Sequence, residues 1–125
     1  MNQNTKILIV EDDNAILEMY NLKFKEENFN ILTAMDGLDG LEIARKELPA
    51  IILLDIMMPK MDGFAVLTEL KNDPKTKGIP VLMLSNLGQQ ADIEKGKNLG
   101  ETDYIVKASM TPTQVVEKVK SYLGS

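Results

Sequence analysis

The chain has 125 residues and is 44% hydrophobic, which suffices for a sizeable core, and we expect one domain over residues 1–125. Its formal net charge of -5 argues against direct binding to nucleic acid or an anionic membrane, because both partners are polyanions. The absence of cysteine and histidine excludes disulfides, thiol nucleophiles, Ser-His-Asp triads, the usual zinc sites and a phosphohistidine on this chain.

The start of the chain, from Met1 to Lys6, lacks the apolar core of a signal peptide. No apolar run reaches the roughly 20 residues that a membrane-spanning helix needs. We therefore expect a cytoplasmic location and no membrane attachment.

Short apolar runs alternate with segments of helical periodicity, a pattern typical of strand–helix units around a buried parallel sheet. The pattern predicts strands at about 6–11, 30–34, 51–55, 80–85 and 103–107. It predicts helices at about 14–27, 37–47, 63–72 and 88–98, and a last helix that starts at Thr111. The expected fold is α/β and flavodoxin-like, a doubly wound five-stranded parallel sheet of order 2-1-3-4-5 with helices on both faces.

Helix starts carry recognisable capping residues. Either Asp13 or Asn14 can cap the first helix, and Asp36 and Asp62 can cap the second and third. Thr111 opens the last helix most clearly, since a proline and a glutamine follow at the positions of a capping box.

The fourth predicted helix has weak sequence support. Its large apolar residues are Ile93 and Leu99, and Gly96 in its middle costs about 1 kcal/mol relative to alanine. Two interpretations stay open, a segment that moves or a poorly packed surface helix.

Polar residues stand where four of the predicted strands end. Glu11 and Asp12 follow the first strand, and the third, fourth and fifth end in Asp55, Ser85 and Lys107. In a doubly wound sheet, ligands bind beyond the carboxyl ends of strands at the point where the strand order reverses, here between strands one and three. We therefore expect the three carboxylates to share one cleft.

Those carboxylates repel one another unless a cation or protons neutralise them, and hard oxygen ligands favour Mg²⁺, with Mn²⁺ possible. An acidic cluster, a further carboxylate, a hydroxyl and an ammonium suit magnesium-dependent transfer of phosphate onto an aspartate. The set of residues favours a phosphorylatable signalling domain.

Four motifs carry a resemblance to a known family: ILIVEDD at 7–13, LLDIMMPKMDG at 53–63, VLMLS at 81–85 and DYIVK at 103–107. With them the chain resembles a response-regulator receiver domain of two-component signalling over essentially its full length. The resemblance implies that Asp55 accepts the phosphoryl group and that Asp12 ligates Mg²⁺ directly. It also implies that Glu11 assists through water and that the backbone carbonyl of Met57 completes the protein's share of the metal shell.

The resemblance assigns three further roles. Ser85 would hydrogen-bond one phosphoryl oxygen, and Lys107 would pair with another. Tyr104 resembles the aromatic switch residue, which follows Ser85 inward on phosphorylation and changes the surface around the fourth helix, fifth strand and fifth helix. A half-buried edge-strand tyrosine is the plainer interpretation of Tyr104.

Partners follow from the same resemblance. A sensor histidine kinase or a histidine phosphotransfer protein would supply the phosphate, and a downstream protein target would sense the change. We expect a signalling domain rather than an enzyme, present as a monomer or a phosphorylation-dependent dimer. On the first helix, Ala15, Met19 and Leu22 lie opposite the core-facing residues Leu17, Tyr20 and Phe24, and either form a kinase-docking stripe or are scattered surface hydrophobes.

The sequence departs from the family pattern at three places. Ala108 follows Lys107 where the family usually has proline, often with a cis bond, and Asn86 stands where a small residue is usual. Ser109 and Met110 also replace the common pattern after the lysine. Met57 and Leu87 would flank the approach of hydrolytic water in this family, and neither can orient it by a hydrogen bond, so we expect a long-lived phosphorylated state.

Three rival functions share parts of this pattern. An aspartyl-phosphate hydrolase of the haloacid-dehalogenase kind would want an aspartate where the chain has Met57. A flavin-binding protein would want a phosphate loop rich in Ser, Thr and Gly after the first strand, which is lacking. A phosphorylation-independent interaction module would be expected to have lost an acidic residue, the hydroxyl or the lysine, and all are retained.

Overall fold

The structure is a computed structural model that describes residues 5–85 and 90–124. The described residues form five strands: β1 (Lys6–Val10), β2 (Asn30–Ala34), β3 (Ile51–Asp55), β4 (Val81–Ser85) and β5 (Asp103–Val106). They also form five helices: α1 (Asn14–Glu26), α2 (Gly37–Glu47), α3 (Gly63–Asn72), α4 (Gln90–Leu99) and α5 (Pro112–Leu123). None of these helices has the length and apolar character needed to cross a membrane.

All strand pairs are parallel, and the strand order is β2-β1-β3-β4-β5, so the predicted fold class and order are confirmed. The register pairs Val10 with Leu54 and Asp55 with Leu84, which aligns the carboxyl ends of β1, β3 and β4 along one edge. Three predicted strand ends were one residue too long, because Glu11, Pro80 and Lys107 lie just outside the strands.

The sheet is buried on both faces because its central strands are almost wholly apolar. Alternate residues of β1 point to opposite sides: Ile7 and Ile9 pack with α1 and α5, whereas Leu8 and Val10 pack with α2 and α3. Each fully buried aliphatic side chain contributes about 1.5–3 kcal/mol relative to its exposed state. The two apolar layers hold the strand ends in a fixed frame.

Capping residues fix where the helices begin. Asp13, rather than Asn14, caps α1, since its Oδ1 accepts hydrogen bonds from the backbone N–H groups of Ala15 (3.0 Å) and Ile16 (3.2 Å). Asp36 and Asp62 cap α2 and α3 as predicted, and Thr111 forms the predicted capping box of α5. A cap of this kind stabilises a helix by about 1 kcal/mol.

The fourth helix is anchored more firmly than its composition indicates. It was predicted at 88–98, of which 88 and 89 lie outside the described residues, and it ends one residue later, at Leu99. Ile93 is buried, Leu99 is partly buried, and Lys95 lies over the Phe64 ring of α3, with Nζ 4.6 Å from the ring centroid. These contacts join α4 to the layer that also holds α3.

Candidate functional site

The carboxyl ends of β1 and β3 bring three carboxylates together. One oxygen each from Glu11, Asp12 and Asp55 lies within 4.8 Å of the others, which confirms the predicted convergence. Glu11 and Asp55 are buried, at 0% and 3% exposure, whereas Asp12 is exposed. Two shielded carboxylates and one open to solvent form a pocket of hard oxygen donors of the type that Mg²⁺ prefers.

Lys107 supplies the positive charge of this cluster. Its Nζ lies 2.6 Å from Glu11 Oε1 and 3.1 Å from Asp55 Oδ1, and its side chain is nearly buried. The backbone N–H of Lys107 donates to the Ser85 carbonyl at 2.8 Å, so the ladder between β4 and β5 continues far enough to aim the ammonium into the cleft. The sequence predicted Lys107 at this site but did not predict its ion pair with Glu11, which is shorter than the one with Asp55.

Burial dominates the electrostatics of the cleft. It raises the pKa of Asp55 to about 7, together with the hydrogen bond and negative charge of Glu11, while Lys107 opposes the rise. For Lys107, burial lowers the pKa, but the hydrogen bond to Glu11 and the charges of both carboxylates outweigh it and raise the pKa. The ammonium of Lys107 therefore stays charged.

Tight backbone packing fixes the direction of the acidic residues. The Asp13 N–H donates to Glu11 Oε2 at 3.1 Å and orients that carboxylate. Gly63 begins α3 directly against the end of β3, where an added Cβ would lie 2.2 Å from the Asp55 carbonyl oxygen. The Gly63 N–H donates to the Ile56 carbonyl at 2.8 Å and closes the loop that contains Met57, whose side chain is 71% exposed.

The remaining predicted site residues lie at the neighbouring strand ends. Ser85 ends β4 and is buried, and Tyr104 is partly buried on β5. Asn86 and Leu87 lie outside the described residues. The described residues contain no cis peptide bond, so the bond between Lys107 and Ala108 is trans.

One side chain of helix α5 lies near Tyr104, a contact that the sequence did not reveal. Lys118 Nζ lies 5.9 Å from the Tyr104 ring centroid and 3.2 Å from Asp103 Oδ2. Asp103 also accepts hydrogen bonds from the Tyr104 N–H and from the Tyr122 hydroxyl. The helical spacing of Lys118 and Tyr122 places both on one face, but only the fold brings them to Asp103.

The exposed stripe on α1 has the predicted orientation. Met19 and Leu22 are 42% and 62% exposed and Ala15 is also exposed, whereas Leu17, Tyr20 and Phe24 are buried. The stripe begins in the first turn after the acidic residues, so it borders the cleft. Its role in docking stays a prediction.

A family model described as the response regulator receiver domain matches residues 7–120. The chain belongs to the response regulator receiver domain family. This family is a signalling domain of two-component systems, as the four sequence motifs indicated.

Relatives of this receiver domain are regulators that are longer than the chain. It is 36% identical over 122 residues to the "Probable transcriptional regulator ycf27" of Porphyra purpurea. This alignment covers 98% of this chain and 49% of the relative. It is 41% identical over 104 residues to the "Response regulator PleD" of Caulobacter vibrioides, covering 83% of this chain and 23% of the relative. The receiver domain thus spans about half the length of the curated relatives it matches, or less.

Solved structures share the fold over nearly the whole chain. A putative response regulator from Chloroflexus aurantiacus is similar with a TM-score of 0.89 and 30% identity, covering 97% of this chain and 98% of that one. The chemotaxis protein CheY4 of Vibrio cholerae is similar with a TM-score of 0.88 and 27% identity, covering 94% and 98%.

Proposed function

We propose that this receiver domain accepts a phosphoryl group on Asp55 in a magnesium-dependent reaction and then changes its affinity for a downstream protein. A phosphohistidine of a sensor histidine kinase or a histidine phosphotransfer protein would be the donor. The observation that supports this most directly is the convergence of Glu11, Asp12 and Asp55 with Lys107 at one end of the sheet. Family membership and the net charge of -5 favour a protein partner over nucleic acid, and we infer a cytoplasmic location.

The donor set fits a divalent metal. Asp12, Asp55 and the backbone carbonyl of Met57 would hold Mg²⁺ or Mn²⁺, and Glu11 would assist through water. When bound, the ion supplies positive charge that neutralises carboxylate and phosphoryl oxygens. The buried negative charge of Glu11 and Asp55, only partly balanced by Lys107, is what such an ion would relieve.

The transfer itself needs positioning and charge neutralisation. A carboxylate oxygen of Asp55 forms a bond to phosphorus as the phosphorus–nitrogen bond of the donor breaks, and the electron pair stays on the imidazole nitrogen. Lys107 pairs with one phosphoryl oxygen and the Ser85 hydroxyl donates to another. Both residues are anchored at the ends of β5 and β4, so they approach from the side opposite β1.

The phosphorylated state would be read at the face formed by α4, β5 and α5. In this scheme Ser85 moves toward the phosphoryl group and Tyr104 follows into the space that it leaves. Because Lys118 lies near the Tyr104 ring and pairs with Asp103, such a movement would also change the α5 surface. A downstream protein, or a second copy in a phosphorylation-dependent dimer, would recognise the altered surface.

Kinase docking would use the exposed stripe on α1. Ala15, Met19 and Leu22 provide an apolar surface beside the acidic cleft, where a donor must approach to reach Asp55. This arrangement separates recognition of the donor from the chemistry.

The decisive test is incubation of the purified chain with acetyl phosphate and MgCl₂, followed by intact mass measurement. One added phosphoryl group is expected, and none when EDTA replaces MgCl₂. No incorporation under any condition would favour a phosphorylation-independent interaction module. Repeated turnover of acetyl phosphate that far exceeds slow self-dephosphorylation would favour the hydrolase.

A further inference from the structure

Glu101, in the turn between α4 and β5, folds its side chain back against α4. Its backbone N–H donates to the Gly96 carbonyl at 2.9 Å. An added Cβ at Gly96 would lie 1.6 Å from Glu101 Oε1 and 2.6 Å from its Cδ. The carboxyl group therefore fills the space that the missing side chain of Gly96 leaves, which explains a glycine in the middle of this helix.

The carboxyl group of Glu101 is shielded from solvent and unpaired within the described part of the chain. Neither Oε1 nor Oε2 has a hydrogen-bond partner among residues 5–85 and 90–124. A buried carboxylate without a donor is strongly disfavoured in its charged form, whereas a protonated carboxyl group tolerates an apolar setting far better. The geometry alone therefore favours the neutral acid.

No charged group of the described residues pairs with Glu101. Burial raises the pKa of Glu101 to about 7, the negative charge of Asp103 on β5 adds to the rise, and Lys97 on α4 opposes it. On α3, Lys71 packs against Gly100, but its ammonium donates to the backbone carbonyls of Lys77 and Ile79, at 3.1 and 2.9 Å. Protonation is the remaining way to neutralise Glu101 in place.

We propose that Glu101 is a proton-operated clamp: the neutral carboxyl group seats on Gly96 and holds α4 against the start of β5, and ionisation loosens α4. Proton binding and docking of α4 are then linked, because the ionised group gains solvation only when it leaves this pocket.

The linkage has a definite sign. The pKa of Glu101 rises from an ordinary 4.5 to about 7 in the folded chain, so the folded state holds the extra proton between these values. The stabilisation of α4 is therefore fully present below pH 4.5 and is lost as the pH rises through about 7. Between pH 8 and pH 6 the linkage predicts about a tenfold increase in the closed-to-open ratio of α4.

The clamp lies next to Tyr104, because β5 starts two residues after Glu101. If the face of α4, β5 and α5 is where a partner binds, acidification would bias that face as well. This extension rests on the proposed function, whereas the clamp itself involves no phosphorylation.

A direct test follows the ¹³C shift of the Glu101 side-chain carboxyl carbon in the full chain as the pH is varied. An apparent midpoint near pH 7 is expected from burial in the Gly96 pocket. A midpoint near the ~4.3 of a solvated glutamate would overturn the proposal.

Hydrogen exchange tests the effect on α4, with rates corrected for the intrinsic pH dependence of exchange. In an Asp55→Asn background, which removes the titration of Asp55, α4 amides should exchange about tenfold more slowly at pH 6 than at pH 8. Glu101→Gln, a neutral side chain of the same shape, should remove that difference.

Gly96→Ala provides a second variant, because its methyl group would displace the carboxyl group into solvent. It too should abolish the pH effect, and helicity by circular dichroism would verify that the fold persists. An α4 pH effect that persists in both variants would overturn the clamp, as would its absence in the parent chain. Neither result would bear on whether Asp55 is phosphorylated.

Discussion

The acidic cleft and the corner between α4 and β5 both contain buried carboxyl oxygens, and the charged groups around them differ. In the cleft, Lys107 contacts both Glu11 and Asp55. In the corner, Glu101 has no donor among the described residues. Burial raises the pKa of both Asp55 and Glu101 to about 7. Burial therefore sets the tendency of each carboxyl group to bind a proton, and in the cleft the nearby ammonium of Lys107 opposes that tendency.

The cleft also differs from the corner in how the negative charge of its carboxyl groups can be neutralised. Its three carboxylates present oxygens to a common point, and Asp12 is open to solvent, so a metal ion can reach them. In the corner, the carboxyl group of Glu101 packs against α4 at Gly96. The same chemical group therefore carries our proposal of a metal site in one region and of proton linkage in the other.

The largest expected effect is the loss of chemistry when the cleft loses its acceptor. Asp55→Asn should abolish phosphoryl incorporation from acetyl phosphate, because an amide oxygen is a far poorer nucleophile than a carboxylate oxygen. Intact mass measurement reports the result, and Asp92→Asn, a change to the acidic residue of the first turn of α4, should still be labelled. Labelling that survives in Asp55→Asn would assign the acceptor to another residue.

Removal of the ammonium should make the cleft resemble the corner. Lys107→Met leaves two buried carboxylates without their counterion and is expected to lower the free energy of unfolding by about 3 kcal/mol in metal-free buffer at pH 8. Urea denaturation measures this value.

Lys118→Met is the matched control for that substitution. Lys118 also pairs with a carboxylate, Asp103, but both side chains are about one quarter exposed, and the cost should stay below about 1 kcal/mol. Equal losses in the two variants would mean that burial does not distinguish the cleft from the surface.

Magnesium should stabilise the cleft and leave the corner unchanged. At about 100 times its dissociation constant, an ion that binds only the folded state adds about 2.7 kcal/mol to the free energy of unfolding. Thermal denaturation with MgCl₂, against NaCl of equal ionic strength, measures the gain. Asp12→Ala should remove most of it, while Asp39→Ala, in the first turn of α2, should keep it. A full gain in Asp12→Ala would contradict the proposed metal site.

The smallest expected effect separates the cleft from the surface beside it. Met19→Glu should slow phosphoryl transfer from a kinase about tenfold, which corresponds to about 1.4 kcal/mol, and leave labelling by acetyl phosphate unchanged. Leu38→Glu, at a similarly exposed apolar residue on α2, is the control and should affect neither reaction. A parallel decrease in both reactions for Met19→Glu would indicate damage to the cleft rather than loss of docking.

The sequence predicted correctly those caps and element bounds that depend only on residues close together in the chain. The capping box at Thr111 is local, and the bounds of β2, β3, α2 and α3 were predicted to the residue. The sequence did not distinguish Asp13 from Asn14 as the cap of α1, because both side chains can accept the same hydrogen bonds. The sequence also predicted that the carboxylates at the strand ends converge, because the carboxyl ends of parallel strands meet at one edge of the sheet.

What the sequence by itself determined is the alternation of strands and helices, the caps, and the residues available for phosphoryl chemistry. Only the tertiary structure decided which charges meet, namely Lys107 with Glu11 and Lys118 with Asp103. It also decided that Glu101 has no donor among the described residues. Residues 11 and 107 are far apart in the chain, and their approach depends on the strand order, in which β3 and β4 lie between β1 and β5. Periodicity reports which face of an element is buried, whereas pairing and desolvation depend on distances in ångströms between elements, which the pattern does not encode.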